Sequence, residues 1–445
     1  MREWRLIGSE RTIAIMGAFS RPPPPELDRG RPVLVVRVGH SPLLNHGAVG
    51  AIRSLGRVGV PTYALTEDRA APVGASRYLT GRFVWPVTGA EDPRWLVAGL
   101  RRICASLDRP AIALPTSDEA AVLLAEHRQD LADMLVQHEL APDLPRRLID
   151  KASLFELCSA HRLPTPRTLT AGSADELADA VEHLGLPVVV KNADLSGRLG
   201  NPIVSTTTRL STAADVDALS TALEQGGAKR LLVQEFVPED GLSDRPADWF
   251  AHVYCARDGT IPLVFTGRKL HSWPPDGGVT ARGVAVANPE LAELVRHTCG
   301  ELGYRGIGDM DWRYDARDDM YKLVDFNPRL GAQAQLFRTS AGVDLVRALH
   351  LDLTGRPIPP GRQVDGLELF VEHLDAAATF VEWRRAGGNL GVGPLTAPAA
   401  PVSRRETAWF AWDDPLPFAV VTARFGRNIA VKTLRRIRGR ARPAG

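Results

Sequence analysis

Apolar and polar positions along this chain fall into short β-type runs separated by longer stretches with helical spacing. The first clear run is PVLVVRVGH (Pro32–His40), continuous enough for a buried strand. GAVGAIRSLGRVGV follows with helical spacing, and PTYALT is a second strand. Strand, helix and strand at this spacing predict a parallel sheet with a right-handed crossover. RPAIALPTSDEAAVLLAEH repeats the unit: a strand to Leu114, then Thr116, Ser117 and Asp118 as candidate helix N-caps. Residues 31–145 are therefore expected to form a small open α/β domain, Rossmann-like in pattern. Residues 1–30 are expected to be a flexible extension, marked by the proline run Pro22–Pro25.

RRLIDKASLFELCSAHRLPTPRT reads as one helix ended by Pro164 and Pro166. SADELADAVEHLG is a helix, LPVVVKNA a strand, NPIVSTTT its expected hairpin partner, LSTAADVDALSTALEQG a helix and RLLVQEFV a strand. These elements make a unit over residues 146–240. From DWFAHVYCARDGTIPLVFTGRKL onward strands dominate, interrupted by the helix ELAELVRHTCGEL and closed by IGDMDWRYD and MYKLVDFN. The helix SAGVDLVRALHLDLTG ends a third unit, residues 241–360. Residues 361–445 form a C-terminal region with a linker-like segment, Gly391–Pro401, and a tail, IAVKTLRRIRGRARPAG, that has basic residues and no acids. That tail is read as solvated.

Chemistry concentrates in LVDFNPRLGAQAQLF (Leu323–Phe337). On a strand, residues two apart share a face, so Asp325, Asn327 and Arg329 point one way while Phe326 and Pro328 point the other. Upstream, IGDMDWRY sets Asp309, Asp311 and Arg313 on one face and Met310, Trp312 and Tyr314 on the other. DARDD between the runs is a turn, so an antiparallel hairpin is expected, with Asp311 near Asp325 and Asn327. Two carboxylates and an amide oxygen are hard ligands that suit Mg²⁺ bridged to phosphate oxygens. An arginine two residues on suits a transferred phosphoryl group. The competing reading is a surface ladder of cross-strand ion pairs.

Composition narrows the setting. The chain has 445 residues, 44% of them hydrophobic, and a formal net charge of +2, which suits an enzyme of two or three domains and implies neither nucleic acid nor membrane as partner. There is no apolar run of transmembrane length, and the N-terminus lacks the apolar stretch of a secretory signal. Cys104, Cys158, Cys255 and Cys299 are scattered with no C-x-x-C spacing, as expected for reduced thiols in a cytoplasmic protein. Walker A, H-E-x-x-H, G-x-S-x-G and G-x-G-x-x-G patterns are absent, so the usual phosphate-loop, zinc and hydrolase routes find no support.

On these residues the chain resembles the ATP-grasp superfamily. Its final core hairpin carries an acid on one strand and acid–x–Asn–x–Arg on the next, here Asp311, then Asp325, Asn327 and Arg329. The resemblance covers about residues 30–360 and implies an α/β (α+β) ATP-grasp fold behind the Rossmann-like domain. It implies that Lys151 in LIDKASLFELC and Lys191 in PVVVKNA face ATP phosphates. The loop NADLSGRLGNP would cover those phosphates through the backbone of Ser196 and Gly197, with Arg198 compensating for a thin glycine cluster. Glu235 in LLVQEFVPED matches the acid beside the adenine amino group, and the Val237 backbone matches the ring edge. Asp248, with Asp240 as second choice, matches the ribose acid. Arg268 and Lys269 lie where relatives place cations near the phosphates or the acyl phosphate. His271 is read as an ordinary histidine, and Thr116–Glu119 either line the acceptor site or only cap a helix.

DFNPRLGAQAQLF, GRKLHSWPP and WDDPLPF look most like carbamoyl-phosphate-synthetase-like and D-aspartate-ligase-like members. That implies a carboxylate–amine ligase using ATP with Mg²⁺ or Mn²⁺, an acyl-phosphate intermediate, and small carboxylate and amine substrates such as amino acids or a peptide. Homodimers are common among similar proteins. The rival readings are an ATP-grasp kinase, a bicarbonate-using carboxylase and a nucleotide-binding protein without turnover.

Overall fold

Three sheets organise the chain in a computed structural model that describes residues 25–39, 45–193, 204, 207–226, 230–238, 246–274, 278–385 and 402–440, with side chains described to residue 428. Strands β1 (Val33–Val36), β2 (Thr62–Thr66), β3 (Gly81–Val84), β4 (Ala111–Pro115) and β5 (Leu135–Val136) form a parallel sheet in the order β3-β2-β1-β4-β5. Both faces of β1 are buried, because helices cover the two sides of the sheet. The strand order reverses between β1 and β4. In such sheets the crevice beyond the carboxyl ends at that point is where ligands bind.

A second, antiparallel sheet is formed by β6 (Thr168–Ala171), β7 (Val188–Asn192), β8 (Thr208–Leu210) and β9 (Leu231–Glu235), in the order β6-β9-β7-β8. Strand β7 pairs with β8, which opens on the last residue of NPIVSTTT, and with β9 on its other side; residues 201–203 and 205–206 lie outside the described residues. The stretch expected as one helix is two, Leu144–Ile149 and Lys151–Ala160. Asp150 between them has extended backbone, and its side chain accepts a hydrogen bond from Ser153 N, a helix-starting cap inside what read as a continuous pattern. The break puts Lys151 at the first position of a new helix, where it is buried.

The largest sheet holds β10 (Asp248–Cys255), β11 (Leu263–Trp273), β12 (Val279–Ala285), β13 (Gly306–Asp315), β14 (Met320–Asn327), β15 (Leu367–Phe370) and β16 (Arg404–Thr407), in the order β14-β13-β10-β11-β12-β15-β16. Its two faces are chemically distinct. Trp249, Ala251, Met310, Trp312, Leu323 and Phe326 pack on one side beneath the helix Pro289–Glu301. The other side carries the polar residues taken up below. The chain beyond residue 360 supplies β15 and β16 to this same sheet.

The helix Glu372–Arg385 is pinned to the sheet by charge. Asp375 accepts two hydrogen bonds from Arg282, at 3.0 and 2.7 Å. His271 bridges Asp375 through Nδ1 at 3.0 Å and Glu382 through Nε2 at 3.2 Å, so both ring nitrogens meet carboxylates of this helix. The Asp375 hydrogen bond, helped by Glu382 and opposed by burial, raises the His271 pKa above its ordinary value. A raised folded-state value means stabilisation that is complete below the ordinary histidine value and lost as pH rises through the folded one. The melting temperature is therefore expected to fall as pH rises above the ordinary histidine value, and His271→Gln should flatten that step. Identical pH profiles for the two proteins would remove this role.

Candidate active site

Register builds the centre of the site. Asp311 on β13 stands opposite Asp325 on β14, and Asp309 stands opposite Asn327. The register shifts just after Asp311, and the apolar alternates Met310, Trp312 and Phe326 are fully buried on the far face. Like charges directly across a strand pair repel. Here a lysine sits on each acid: Lys151, from the helix start described above, bonds to Asp325, and Lys269 Nζ on β11 lies 2.9 Å from Asp311. Burial, reinforced by Asp309 and Asp325 and opposed by Lys269, raises the Asp311 pKa. Burial also works against the Lys269 cation, but Asp311 outweighs it and Lys269 stays above the ordinary lysine value.

Arg329 lies just past β14. Its Nη1 donates to Asp309 Oδ2 at 2.6 Å and its Nε to Asp118 Oδ1 at 3.2 Å. Burial disfavours this cation, but Asp118 and Asp309 more than offset it, so Arg329 is held protonated. Behind Asp309 stands His252, fully buried, with Nε2 3.3 Å from Asp309 Oδ1. Burial lowers the His252 pKa against the pull of Asp309, so the imidazole is neutral. Gly331 closes this layer. A Cβ there would stand 2.2 Å from His252 Cε1 and 2.7 Å from Asp309 Cγ. Gly331→Ala is expected to cost about 1–3 kcal/mol through overpacking and to shift Asp309, lowering turnover as well. Unfolding and activity measurements on the same preparation check both effects. An unchanged variant would show that the loop yields.

The other expected site residues divide. Lys191 Nζ donates to Gln234 Oε1 at 3.2 Å, so Gln234 is a β9 side chain that meets this lysine. Glu235, the next residue, takes the opposite face of β9. Its carboxylate accepts from Arg167 N at 2.9 Å and Arg167 Nε at 3.1 Å, with Arg317 and Lys322 at 3.3 and 3.4 Å. Burial opposes its charge, but these donors hold its pKa below the ordinary range. It lines a cleft of about 450 Å³ with Arg167, Arg317 and Lys322 at the turn end of the hairpin. The Val237 carbonyl accepts from Arg313 Nε at 2.5 Å, and Arg313 Nη1 reaches Asp248 Oδ1 at 2.5 Å. Arg313 thus ties the strand-edge backbone of Val237 to Asp248. Arg268 and Lys269 alternate along β11: Arg268 is in register with Trp249 and Trp312, and Lys269 meets Asp311. Ser196, Gly197, Arg198 and Asp240 lie outside the described residues.

Asp309, Arg313 and Gln234 have no site role in the sequence reading, and Asp118 figures there only within Thr116–Glu119, as acceptor lining or helix cap. Period two does place Asp309 and Arg313 on the face of Asp311, so their signal was present. Nothing in LLVQEFV distinguishes which of Gln234 and Glu235 faces Lys191. Asp118 was hidden among helix-cap residues.

The donor set can be tested for a metal. Two carboxylates and one amide on a single face fit Mg²⁺, which takes one or two protein carboxylates and completes its shell with phosphate oxygens and water. Among the described residues no group of three or more His, Cys, Asp or Glu forms a protein-only metal site.

No protein-family model matches the chain. It is 25% identical over 301 residues to the D-aspartate ligase of Enterococcus faecium (strain Aus0004), an alignment covering 65% of this chain and 70% of that protein. It is 24% identical over 277 residues to the C-terminal section of the carbamoyl phosphate synthase large chain of Methanopyrus kandleri, covering 58% of this chain but only 46% of that one. Among solved structures, N5-carboxyaminoimidazole synthetase from Staphylococcus aureus complexed with ADP superposes with a TM-score of 0.55 at 12% identity, over 76% of this chain and 81% of that chain. At that identity the likeness is one of fold.

Proposed function

We propose that this chain, whose fold is ATP-grasp, is an ATP-dependent carboxylate–amine ligase. The single observation that carries the reading is the Asp311–Asp325 pair, with Lys151 and Lys269 bonded to the two acids and Arg329 beside them. A surface ladder of ion pairs would have its cations on the two strands themselves. Here they arrive from a distant helix and from β11.

The reaction runs in two steps. A carboxylate oxygen of the first substrate attacks the γ-phosphorus of ATP, the bond to the bridging oxygen breaks, and ADP leaves an acyl phosphate. The amine nitrogen of the second substrate then attacks the acyl carbon, phosphate departs with the C–O pair, and the nitrogen loses a proton. Asp311, Asp325 and Asn327 would hold Mg²⁺ or Mn²⁺, which supplies charge neutralisation at the β- and γ-phosphates. Lys151 and Lys269, paired with the acids here, are placed to turn to phosphate oxygens once a cation takes the acids. Lys191, fixed by Gln234, serves the same end of the nucleotide. Ser196 and Gly197 stay proposed for the covering loop, Asp248 for the ribose and the Val237 backbone for the ring edge, its carbonyl already accepting from Arg313 Nε. No protein nucleophile is needed.

The two substrates are small molecules, and amino acids or a peptide are proposed as their class. A homodimer and a cytoplasmic setting complete the proposal. The second is supported by four free, buried cysteines. No helix among the described residues is long and apolar enough to cross a membrane. ADP release measured across pools of amino acids, with hydroxylamine as trap, tests the function. Hydroxamate that requires both ATP and a carboxylic acid is expected. Phosphate transfer to a hydroxyl, or a strict requirement for bicarbonate, would favour the kinase or the carboxylase instead.

A further inference from the structure

We infer that Asp118, on the helix Asp118–Glu126 after β4, is a positioning residue that aims Arg329 at the transferred phosphoryl group, an inference that rests on the ligase reading. Helix capping does not account for this carboxylate. The N-cap is Ser117, whose side chain accepts from Ala120 N and also bonds to the Val38 backbone. Asp118 is left to reach across to Arg329, at a sequence separation of 211 residues.

The geometry of the guanidinium makes that second contact consequential. Arginine presents its donors in a rigid planar fork. Held only at Nη1, by Asp309 and at 3.4 Å by the Leu330 carbonyl, the plane could swing about that one nitrogen. Held also by Asp118 at Nε, its orientation is fixed. Nη2 then hydrogen-bonds no described residue and is the donor left for a substrate oxygen. The backbone enforces the same arrangement. Leu330 N donates to Pro115 O at 3.0 Å, so the residue after Arg329 is stitched to the end of β4, three residues before Asp118. Gly47, at the start of the helix His46–Gly56, lies so close to Gly331 that a Cβ would stand 2.6 Å from the Gly331 carbonyl oxygen. The N-terminal sheet thus orients the arginine of the phosphoryl-transfer centre, besides offering its crevice to an acceptor.

The test uses the full chain and the hydroxylamine-trapped half-reaction, with kcat and the KM values for ATP and carboxylate determined separately. Asp118→Ala should lower kcat on the order of 10²-fold, the scale of an angstrom-level misplacement, with the KM for ATP changed less than about threefold. Asp118→Asn keeps an acceptor oxygen for the Arg329 Nε–H and should recover about tenfold of that loss. In an Arg329→Lys background, Asp118→Ala should cost little more, because no fork remains to aim. A merely structural role would move melting temperature and both KM values together and would add to the Arg329→Lys loss. Wild-type kcat in Asp118→Ala, or full additivity in the double variant, overturns the inference. Absence of ATP- and carboxylate-dependent hydroxamate from the unmodified protein would instead overturn the ligase reading, and the positioning role with it.

Discussion

Asp325→Asn is expected to lower ADP-forming turnover by about 10²–10³-fold while the protein stays folded. The substitution is nearly isosteric, and Asp325 is partly open to solvent, so no cavity forms. It removes one of two carboxylates that face each other across the hairpin, which relieves their repulsion. It also takes the charge from the partner of Lys151. Loss of that ion pair and relief of repulsion oppose each other, so melting temperature should change little. Chemistry should suffer, because the site would keep a single carboxylate for the cation. A coupled ADP assay beside thermal unfolding separates the two. Full turnover in the folded variant would return the acids to the competing reading, a ladder of structural ion pairs.

The largest stability effect is expected far from the chemistry, at Asp414. This carboxylate is 1% exposed and accepts from Arg53 Nε at 2.9 Å, Ser76 Oγ at 2.7 Å and Arg77 N at 2.9 Å. Arg53, itself buried, also donates to the backbone oxygens of Trp409 and Asp414, at 2.6 and 2.8 Å. The cluster clasps the segment after β16 onto the helix of β1–β2. Burial lowers the Arg53 pKa, and Asp414 leads the opposition to that shift, with Asp413 adding to it. Asp414→Ala would leave a guanidinium buried without its counter-charge, a loss of about 3–5 kcal/mol. Denaturant unfolding followed by tryptophan fluorescence should report it, since Trp409 is fully buried in this region. Replacing both partners, Arg53→Leu with Asp414→Leu, should destabilise less than the single change. A single variant with wild-type stability would mean that water reaches the cluster.

The hairpin was legible in the sequence because strand alternation is a local, exact period. Alternation alone sets Met310, Trp312 and Phe326, which are buried, on the face opposite Asp309, Asp311, Arg313, Asp325 and Asn327. The parallel N-terminal sheet was legible for a similar reason, with apolar strands alternating with helices. What was hidden depended on contacts between distant segments. No local signal tells that Lys151 bonds to Asp325, or that Asp118 bonds to Arg329. The break at Asp150 is masked in the sequence because the helical pattern of apolar residues runs on through a capping aspartate. Glu235 stood next to Gln234, and parity along β9 could be set only by pairing with β7. Assigning β15 and β16 to the large sheet required knowing which edge was open beside β12.

The most direct test of the site is diffraction from crystals grown with Mn²⁺ and a non-hydrolysable ATP analogue, with the anomalous signal of the metal located. The account places that signal against Asp311, Asp325 and Asn327, at oxygen distances of about 2.0–2.2 Å, with Lys151 and Lys269 turned toward phosphate oxygens. A nucleotide bound elsewhere, or the analogue present while both lysines remain on their carboxylates and no metal touches the hairpin, would contradict it.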